Sequence, residues 1–416
     1  MFLLFYEEKP KMRQMFLTLS KFSGTPEFLD KVSDTAERRI NDSEKNVGDT
    51  GCDKCSYSQV TNFWDENATD CARIYKEIAS SPFERQTEED VINNITKLRH
   101  CQWHKQELAA EEFRCVQTVL KTAIYIQACA GYGIGNTALV DHCPPFRSEL
   151  KQCCNSADNF VVTQKNTPVG TELTYEGEPK RKIKITEQIF RLFPKNMSFR
   201  SLQYKQCAVV GNGGNLVNSS CGAEIDRVDF VFRCNLPPVG GKFTQDVGLK
   251  TNLVTANPSI IAKSYAELHN RRKPFYTDTI VYNKALLLLP AFSYPPNTAL
   301  SFRALYTLED FQAKQKVVFF NPIYIQHLTK FWLSKGIQVK RLSTGLMIVS
   351  LALELCEEVC VYGFWPFAKS IEGKVMLHHY YDNQLPKPNV HSMPTEFQHL
   401  LQMHSKGIIK LQLAQC

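Results

Sequence analysis

The sequence predicts an α/β protein built on a doubly wound, mostly parallel sheet. Three observations carry that prediction. Residues 208–210 are a short apolar run that breaks into Gly211, Asn212, Gly213 and Gly214, and an amphipathic stretch follows to about Arg227, which reads as strand, glycine turn, helix. Residues 229–233 and 252–256 follow as two more strands, joined by connections long enough to cross over the sheet. Further downstream, apolar runs keep alternating with helix-length stretches, the pattern of βαβ units and of a Rossmann-like sheet.

Taken in order, residues 1–145 are polar and cysteine-bearing, and read as a stem that holds a following domain away from a membrane. Residues 88–115 look helical, with Glu, Lys, Gln and Leu prominent. Residues 115–143 differ: they are apolar and glycine-dotted, yet Lys121, Gln127 and Asn136 interrupt them, which argues against a span. A domain is expected from residue 146 to residue 416. Within it, 161–176 reads as an extended segment with a turn, and 185–194 as a short amphipathic helix ended by Pro194. After the first three strands come strands at 285–289 and 317–320 and a helix at 323–335. Strands at 339–342 and 359–364 complete the expected sheet. Helices at 346–355 and 396–405 flank the last of them.

A chain of 416 residues with 43% hydrophobic content has room for a large buried core. Its net charge of +7 is thinly spread. No basic stripe interleaved with aromatics appears, so nucleic acid is not an expected partner. The basic cluster at 180–184 reads as a solvated face or as an acceptor-binding patch. Fifteen cysteines are many for a reducing compartment, and Cys52 and Cys55 are the only C-x-x-C pair, so an oxidising compartment is the better reading than zinc. Sequons at Asn41, Asn67, Asn94, Asn196 and Asn218 agree with it. Met1–Tyr6 and residues 15–19 are too short to span a membrane, which takes about 20 residues.

In a parallel sheet, ligands sit beyond the carboxyl ends of the strands, and Asn212, Asn235 and Asn257 lie there. A dinucleotide fingerprint G-x-G-x-x-G would need glycine at 216, where the chain has Leu216, and the second strand ends in neutral Asn235 rather than an acid. The glycine turn alone fits either a nucleotide site or a steric need. Ser343, Thr344 and Gly345 open an apolar helix, as a plain cap or as an anion-binding helix start. His378, His379, Tyr380, Tyr381 and Asp382 stand in a row; adjacent strand residues face opposite ways and do not easily share a metal. His391 lies five residues before Glu396, as an exposed loop histidine or as a base titrating near neutrality. No D-x-D occurs, so a carboxylate pair for a divalent ion on a sugar nucleotide is missing, and metal: none is the expectation.

The stretches CAVVGNGG, DFVFRCNLPP and DVGLKTNLVTANPSI, in that order, resemble the large sialyl motif of the animal sialyltransferases. RLSTGLMIVSLALELCEEVCVYGFWPF, HHYYDN and HSMPTEF resemble the same family, and the LPP and HHYYDN wording resembles its alpha-2,8 branch, nearest to types V and VI. The resemblance covers residues 146–416 and implies a variant GT-A glycosyltransferase fold. It implies transfer of sialic acid from CMP-sialic acid, with inversion and without metal or other cofactor, to the 8-hydroxyl of a terminal sialic acid on glycoprotein or ganglioside glycans. Asn212, Asn235, Ser343, Thr344, Gly345 and Trp365 would contact the CMP, His379 would steady its phosphate, and His391 would be the general base. Disulfides Cys207–Cys356 and Cys221–Cys416 are implied likewise.

Relatives pass from a segment like EEFR almost directly to one like FRSELKQCCN, which marks 115–143 as an insertion. The family's location is the Golgi lumen, as type II membrane proteins; the anchor is missing from this sequence. Sialylated glycoproteins or glycolipids are the implied partners, with a homodimer as a further expectation. A non-catalytic glycan-binding product and a dinucleotide-dependent oxidoreductase are the alternatives.

Overall fold

The computed structural model describes residues 70–80, 87–105, 146–197, 199–339, 341–382 and 393–416. Asn41, Asn67, His391, the insertion at 115–143 and the pair Cys52 and Cys55 lie outside the described residues. The helices used below are α1 (Asp70–Ser80), α2 (Glu88–Leu98), α3 (Phe146–Cys154), α4 (Gly222–Arg227), α5 (Pro258–Tyr265), α6 (Arg272–Thr279), α7 (Pro295–Asp310), α8 (Pro322–Ser334), α9 (Thr344–Leu355) and α10 (Met393–Ser405). No helix among the described residues is long and apolar enough to cross a membrane.

Seven strands form one sheet in the order β7-β6-β5-β4-β3-β8-β9, and every neighbouring pair is parallel. They are β3 (Tyr204–Val210), β4 (Phe230–Arg233), β5 (Leu253–Thr255), β6 (Leu286–Leu289), β7 (Lys316–Phe319), β8 (Cys356–Tyr362) and β9 (Lys410–Leu411). A separate antiparallel hairpin pairs β1 (Glu172–Thr174) with β2 (Lys182–Lys184). The central strands are buried along their length because both faces are covered, which is why they read as unbroken apolar runs rather than as alternation. Ala208, Val210, Val231, Val254, Leu287 and Phe319 project into one core with Ile261 of α5, Phe275 of α6 and Ala304 of α7.

The expected strand at 339–342 is corrected: no strand forms there among the described residues. Gly336, at φ 99°, turns the chain out of α8. Leu342 is then buried as a single anchor, and Ser343 follows it as the cap of α9. The strand reading of 378–382 is corrected too, since this segment is a bend and turn. Likewise α2 ends at Leu98, with residues 106–115 outside the description.

The chain runs from β3 outward through β4, β5, β6 and β7, then returns to lay β8 and β9 on the other side of β3. That reversal opens a crevice beyond the carboxyl ends of β3 and β8. Helix α9 leads straight into β8, so its other end, the N-terminus, comes back to the same edge. Ten of its twelve residues are buried, which suits a helix apolar on all sides. Its carboxyl end is held by Arg147, which donates to Leu353 O (2.8 Å), Cys356 O and Glu357 O (3.0 Å).

Cys207–Cys356 joins β3 to β8, and Cys221–Cys416 pins the C-terminus beside α4. A third bridge, Cys71–Cys101, closes the α1–α2 hairpin. That hairpin packs on α10: Tyr75 and Trp103 lie against the His404 ring, and Trp103 Nε1 donates to His404 O (3.1 Å). Of the sequon asparagines described, Asn196 and Asn218 are exposed and Asn94 is half-buried in α2.

His399 and His404 are buried in α10, and burial pushes both down from 6.5 to about 4. His404 Nδ1 also accepts from Leu411 N, which requires that nitrogen to be unprotonated. Groups with depressed folded values contribute stability above pH 6.5 and lose it as pH falls through 4, by about 3 kcal/mol each at most. Glu354 has the opposite sign: burial pushes it up to about 7, so its contribution is lost as pH rises from 4.5. The two histidines act against Glu354 and the smaller rises of Glu176 and Glu396, which burial also pushes up. Thermal melts are expected to fall between pH 6.5 and pH 4, with a shallower decline in His399→Leu.

Candidate functional site

The turn after β3 is laced to the loop after β8. Gly211 N donates to Tyr362 O and Gly213 N to Gly363 O, both at 2.8 Å. The backbones approach so closely that a Cβ at Gly211 would sit 2.5 Å from Gly363 O, so glycine is required there for contact rather than for its dihedral freedom. Asn212 bridges sideways: its Nδ2 donates to Cys234 O (2.8 Å), while its buried Oδ1 has no partner among the described residues. Asn235 takes a left-handed conformation, φ 63°, which asparagine tolerates better than most residues. Its N donates to Thr255 Oγ1 (2.9 Å) and its Oδ1 accepts from Asn257 N (3.0 Å).

Thr344 Oγ1 donates to Asn257 Oδ1 (3.3 Å), so Asn235, Asn257 and Thr344 form one polar chain across the ends of β4, β5 and the start of α9. Ser343 caps α9 by accepting from Leu346 N (3.1 Å). Its own N donates to Glu396 Oε1 (2.8 Å), and Glu396 is buried in the first turn of α10. Burial raises the Glu396 carboxyl, and the Ser343 hydrogen bonds oppose that rise. Gly345 lies against Phe364; a Cβ there would stand 2.7 Å from the ring. Gly345→Ala is therefore expected to push the ring or the helix start aside, with a small loss of melting temperature checked by a thermal melt.

Trp365 is almost buried: its ring packs edge-on against Phe367 and Phe397, and Nε1 donates to Lys369 O (2.9 Å). It stands in the loop after β8 as a wall of the crevice, beside Phe364. Tyr380 N donates to Asn212 O (2.9 Å), which fastens the histidine segment onto the glycine turn. Tyr380 Oη donates to Pro238 O (2.6 Å) from the same segment. His379 Nδ1 lies 2.5 Å from Asp382 Oδ2, and the ring stacks on Tyr381 at 5.1 Å and 7°. With Nδ1 committed to a carboxylate, Nε2 is the nitrogen left for a ligand.

The residues singled out at Asn212, Asn235, Ser343, Thr344, Gly345, Trp365 and His379 thus meet at one edge of the sheet; His391 lies outside the described residues. Sequence reasoning passed over Glu396 as the holder of Ser343 N, and Asp382 as the partner of His379. The i, i+3 spacing of His379 and Asp382 was the available signal. Among the described residues no group of three or more His, Cys, Asp or Glu comes together as a metal site. A cavity of about 340 Å³ lies elsewhere, over β3, β8 and β9, walled by Trp103, Glu224, Glu358 and Lys410. Its charges are largely paired among themselves, as in Glu224 with Lys410 and Tyr362.

Residues 161–408 match the family model described as glycosyltransferase family 29 (sialyltransferase). Alpha-2,8-sialyltransferase 8F of Mus musculus is 46% identical over 362 residues, covering 86% of this chain and 83% of the relative. Alpha-2,8-sialyltransferase 8E of Homo sapiens is 49% identical over 271 residues, 65% of this chain and 72% of the relative. A mammalian sialyltransferase solved in complex with Gal-beta-1-3GalNAc-ortho-nitrophenol is 20% identical, covers 79% of this chain and 97% of its own, and superposes with a TM-score of 0.37.

Proposed function

Because the chain belongs to glycosyltransferase family 29, the sialyltransferases, we propose that it transfers sialic acid from CMP-sialic acid, with inversion, to the 8-hydroxyl of a terminal sialic acid on a glycoprotein or ganglioside glycan. The observation that carries the alpha-2,8 linkage is the 46% identity to the mouse enzyme of that specificity over 86% of the chain. Membership of this family sets aside the dinucleotide-oxidoreductase alternative. The Golgi lumen is the proposed location, in keeping with the three disulfides.

In this reading CMP lies across the crevice between β3 and β8. The unpartnered Oδ1 of Asn212 accepts from the nucleotide, and the Asn235–Asn257–Thr344 chain holds further polar groups ready. The start of α9 offers its free amides and partial positive charge to the phosphate. Ser343 already satisfies one of those amides, so the anion meets the others. As the bond from the anomeric carbon to the phosphate breaks, charge gathers on the phosphate oxygens. In its imidazolium form His379 donates Nδ1–H to Asp382 and Nε2–H to that charge. His391 takes the proton of the attacking hydroxyl, a step in which a positioned base contributes about 10²–10⁴ in rate.

The test is His391→Ala assayed with labelled CMP-sialic acid and a sialylated glycoprotein. Transfer falls by at least a hundredfold while CMP binding by calorimetry stays unchanged. Equal losses of transfer and CMP binding would instead place His391 in the donor site and remove it as the base.

A further inference from the structure

Four cysteines among the described residues stand outside the three bridges: Cys153, Cys154, Cys234 and Cys360. Burial pushes the Cys234 thiol up to about 12, and that of half-buried Cys360 on β8 up to about 11. The other two differ in geometry. They are adjacent in the chain at the end of α3, and their sulphurs lie 2.7 Å apart. A covalent S–S bond is about 2.05 Å long, so a shift of well under an ångström separates this contact from a bond. Cys153 is half-exposed and its Sγ faces His327 O at 3.4 Å, while Cys154 is buried behind it. One sulphur is thus open to a reagent from solution, and the second sits behind it.

We infer that Cys153 and Cys154 form a thiol–disulfide exchange site that closes to a vicinal disulfide with a low-molecular-weight disulfide as oxidant. The Cys153 thiolate attacks one sulphur of the oxidant RSSR, forming Cys153–S–S–R and releasing RS⁻. The Cys154 thiolate then attacks the Cys153 sulphur, forming the Cys153–Cys154 bond and releasing a second RS⁻. The two thiol protons leave with the two RS⁻ groups, so two electrons pass from the protein to give two RSH.

The surroundings set the rate and the lability. Burial raises both thiols; the hydrogen bond from Cys154 draws Cys153 back down, the charges of Glu354 on α9 and Glu149 on α3 raise it further, and Lys330 on α8 opposes them. Little thiolate is present near neutrality, so closure is slow. Once closed, the bond spans neighbouring residues whose Cα atoms are about 3.8 Å apart, below the usual 4.4–6.8 Å span of a disulfide. That strain makes it more reducible than the bridges at Cys71, Cys207 and Cys221. The site lies on the helix that holds the carboxyl end of α9 through Arg147, away from the sialyl-transfer crevice.

The experiment uses the full wild-type chain equilibrated with glutathione at graded ratios of oxidised to reduced form, unfolded in alkylating agent and digested with trypsin. The peptide spanning residues 152–165 holds both cysteines and no others. At the oxidised end it is expected without alkyl groups and two hydrogens lighter than the dithiol. It is expected to take two alkyl groups at a milder ratio than the Cys207 and Cys356 peptides do. Two alkyl groups at every ratio would overturn the proposal, as would a link from either cysteine to a third one. In Cys154→Ser the resolving sulphur is gone, and Cys153 is expected to accumulate as its glutathione mixed disulfide. The same adduct persisting in wild type would also contradict ring closure.

Discussion

Replacing His379 by alanine lowers sialic acid transfer by about 10²–10³ while CMP binding changes little. The physical reason is that the imidazole acts on charge that appears only as the phosphate leaves. In the proposed function ground-state CMP is already held by the strand ends and the start of α9. His379 is fixed by three contacts: Asp382 on Nδ1, the stacked Tyr381 ring, and the Tyr380 amide on Asn212 O. Asp382→Asn keeps the size of the partner but removes its charge, so it falls between wild type and His379→Ala. Transfer rates and CMP titrations on the two variants check both statements. A His379→Ala variant that loses CMP binding and transfer in equal proportion would make the histidine a ground-state contact.

Removing the Cys207–Cys356 bridge, as a double alanine variant, costs about 5 kcal/mol. The two cysteines lie 149 residues apart, and in the chain-entropy account a loop of that size releases this much disorder to the unfolded chain. The whole stability of a domain is about 5–15 kcal/mol, so the variant is expected to melt near or below physiological temperature. The bridge also ties β3 to β8 at the start of the ladder whose far end carries Gly211 and Gly363. Residual folded protein is therefore expected to bind CMP more weakly. A melting temperature within a few degrees of wild type would show that the β3–β8 ladder and its flanking helices suffice.

Much of the fold was legible because burial on both faces leaves a plain mark: in β4, β5, β6 and β7 the apolar residues are consecutive, with Arg233, Thr255 and Lys316 only at strand ends. The glycine turn announced the edge at which the candidate site residues meet. The strand expected at 339–342 shows the limit of that signal. Its four residues, Val339, Lys340, Arg341 and Leu342, hold no unbroken apolar run, and Leu342 is buried alone ahead of the cap at Ser343. The pairing of Cys71 with Cys101 was not legible either, because spacing alone cannot choose among fifteen cysteines. Nor was the packing of α1 and α2 on α10, which depends on where Trp103 and His404 meet in space.

Within the candidate site, residues adjacent in sequence were easier to find than residues that meet through the fold. His379 and Ser343 stand in dense polar clusters. Glu396 reads as an ordinary acid in a first helical turn, and only the tertiary contact shows its carboxylate on Ser343 N, 53 residues away. Asn257 was visible at a strand end, yet its link to Thr344 closes only when α9 returns to the sheet.

The account stands most directly on the chemistry of the acceptor. Wild-type protein is incubated with labelled CMP-sialic acid, with chelator present, on a sialylated glycoprotein and on the same glycoprotein stripped of sialic acid, and the linkage of the label is determined. Label is expected on the sialylated acceptor alone, joined to the 8-hydroxyl of its sialic acid, at a rate the chelator does not change. Label on the stripped glycoprotein, or none without a divalent ion, would contradict it.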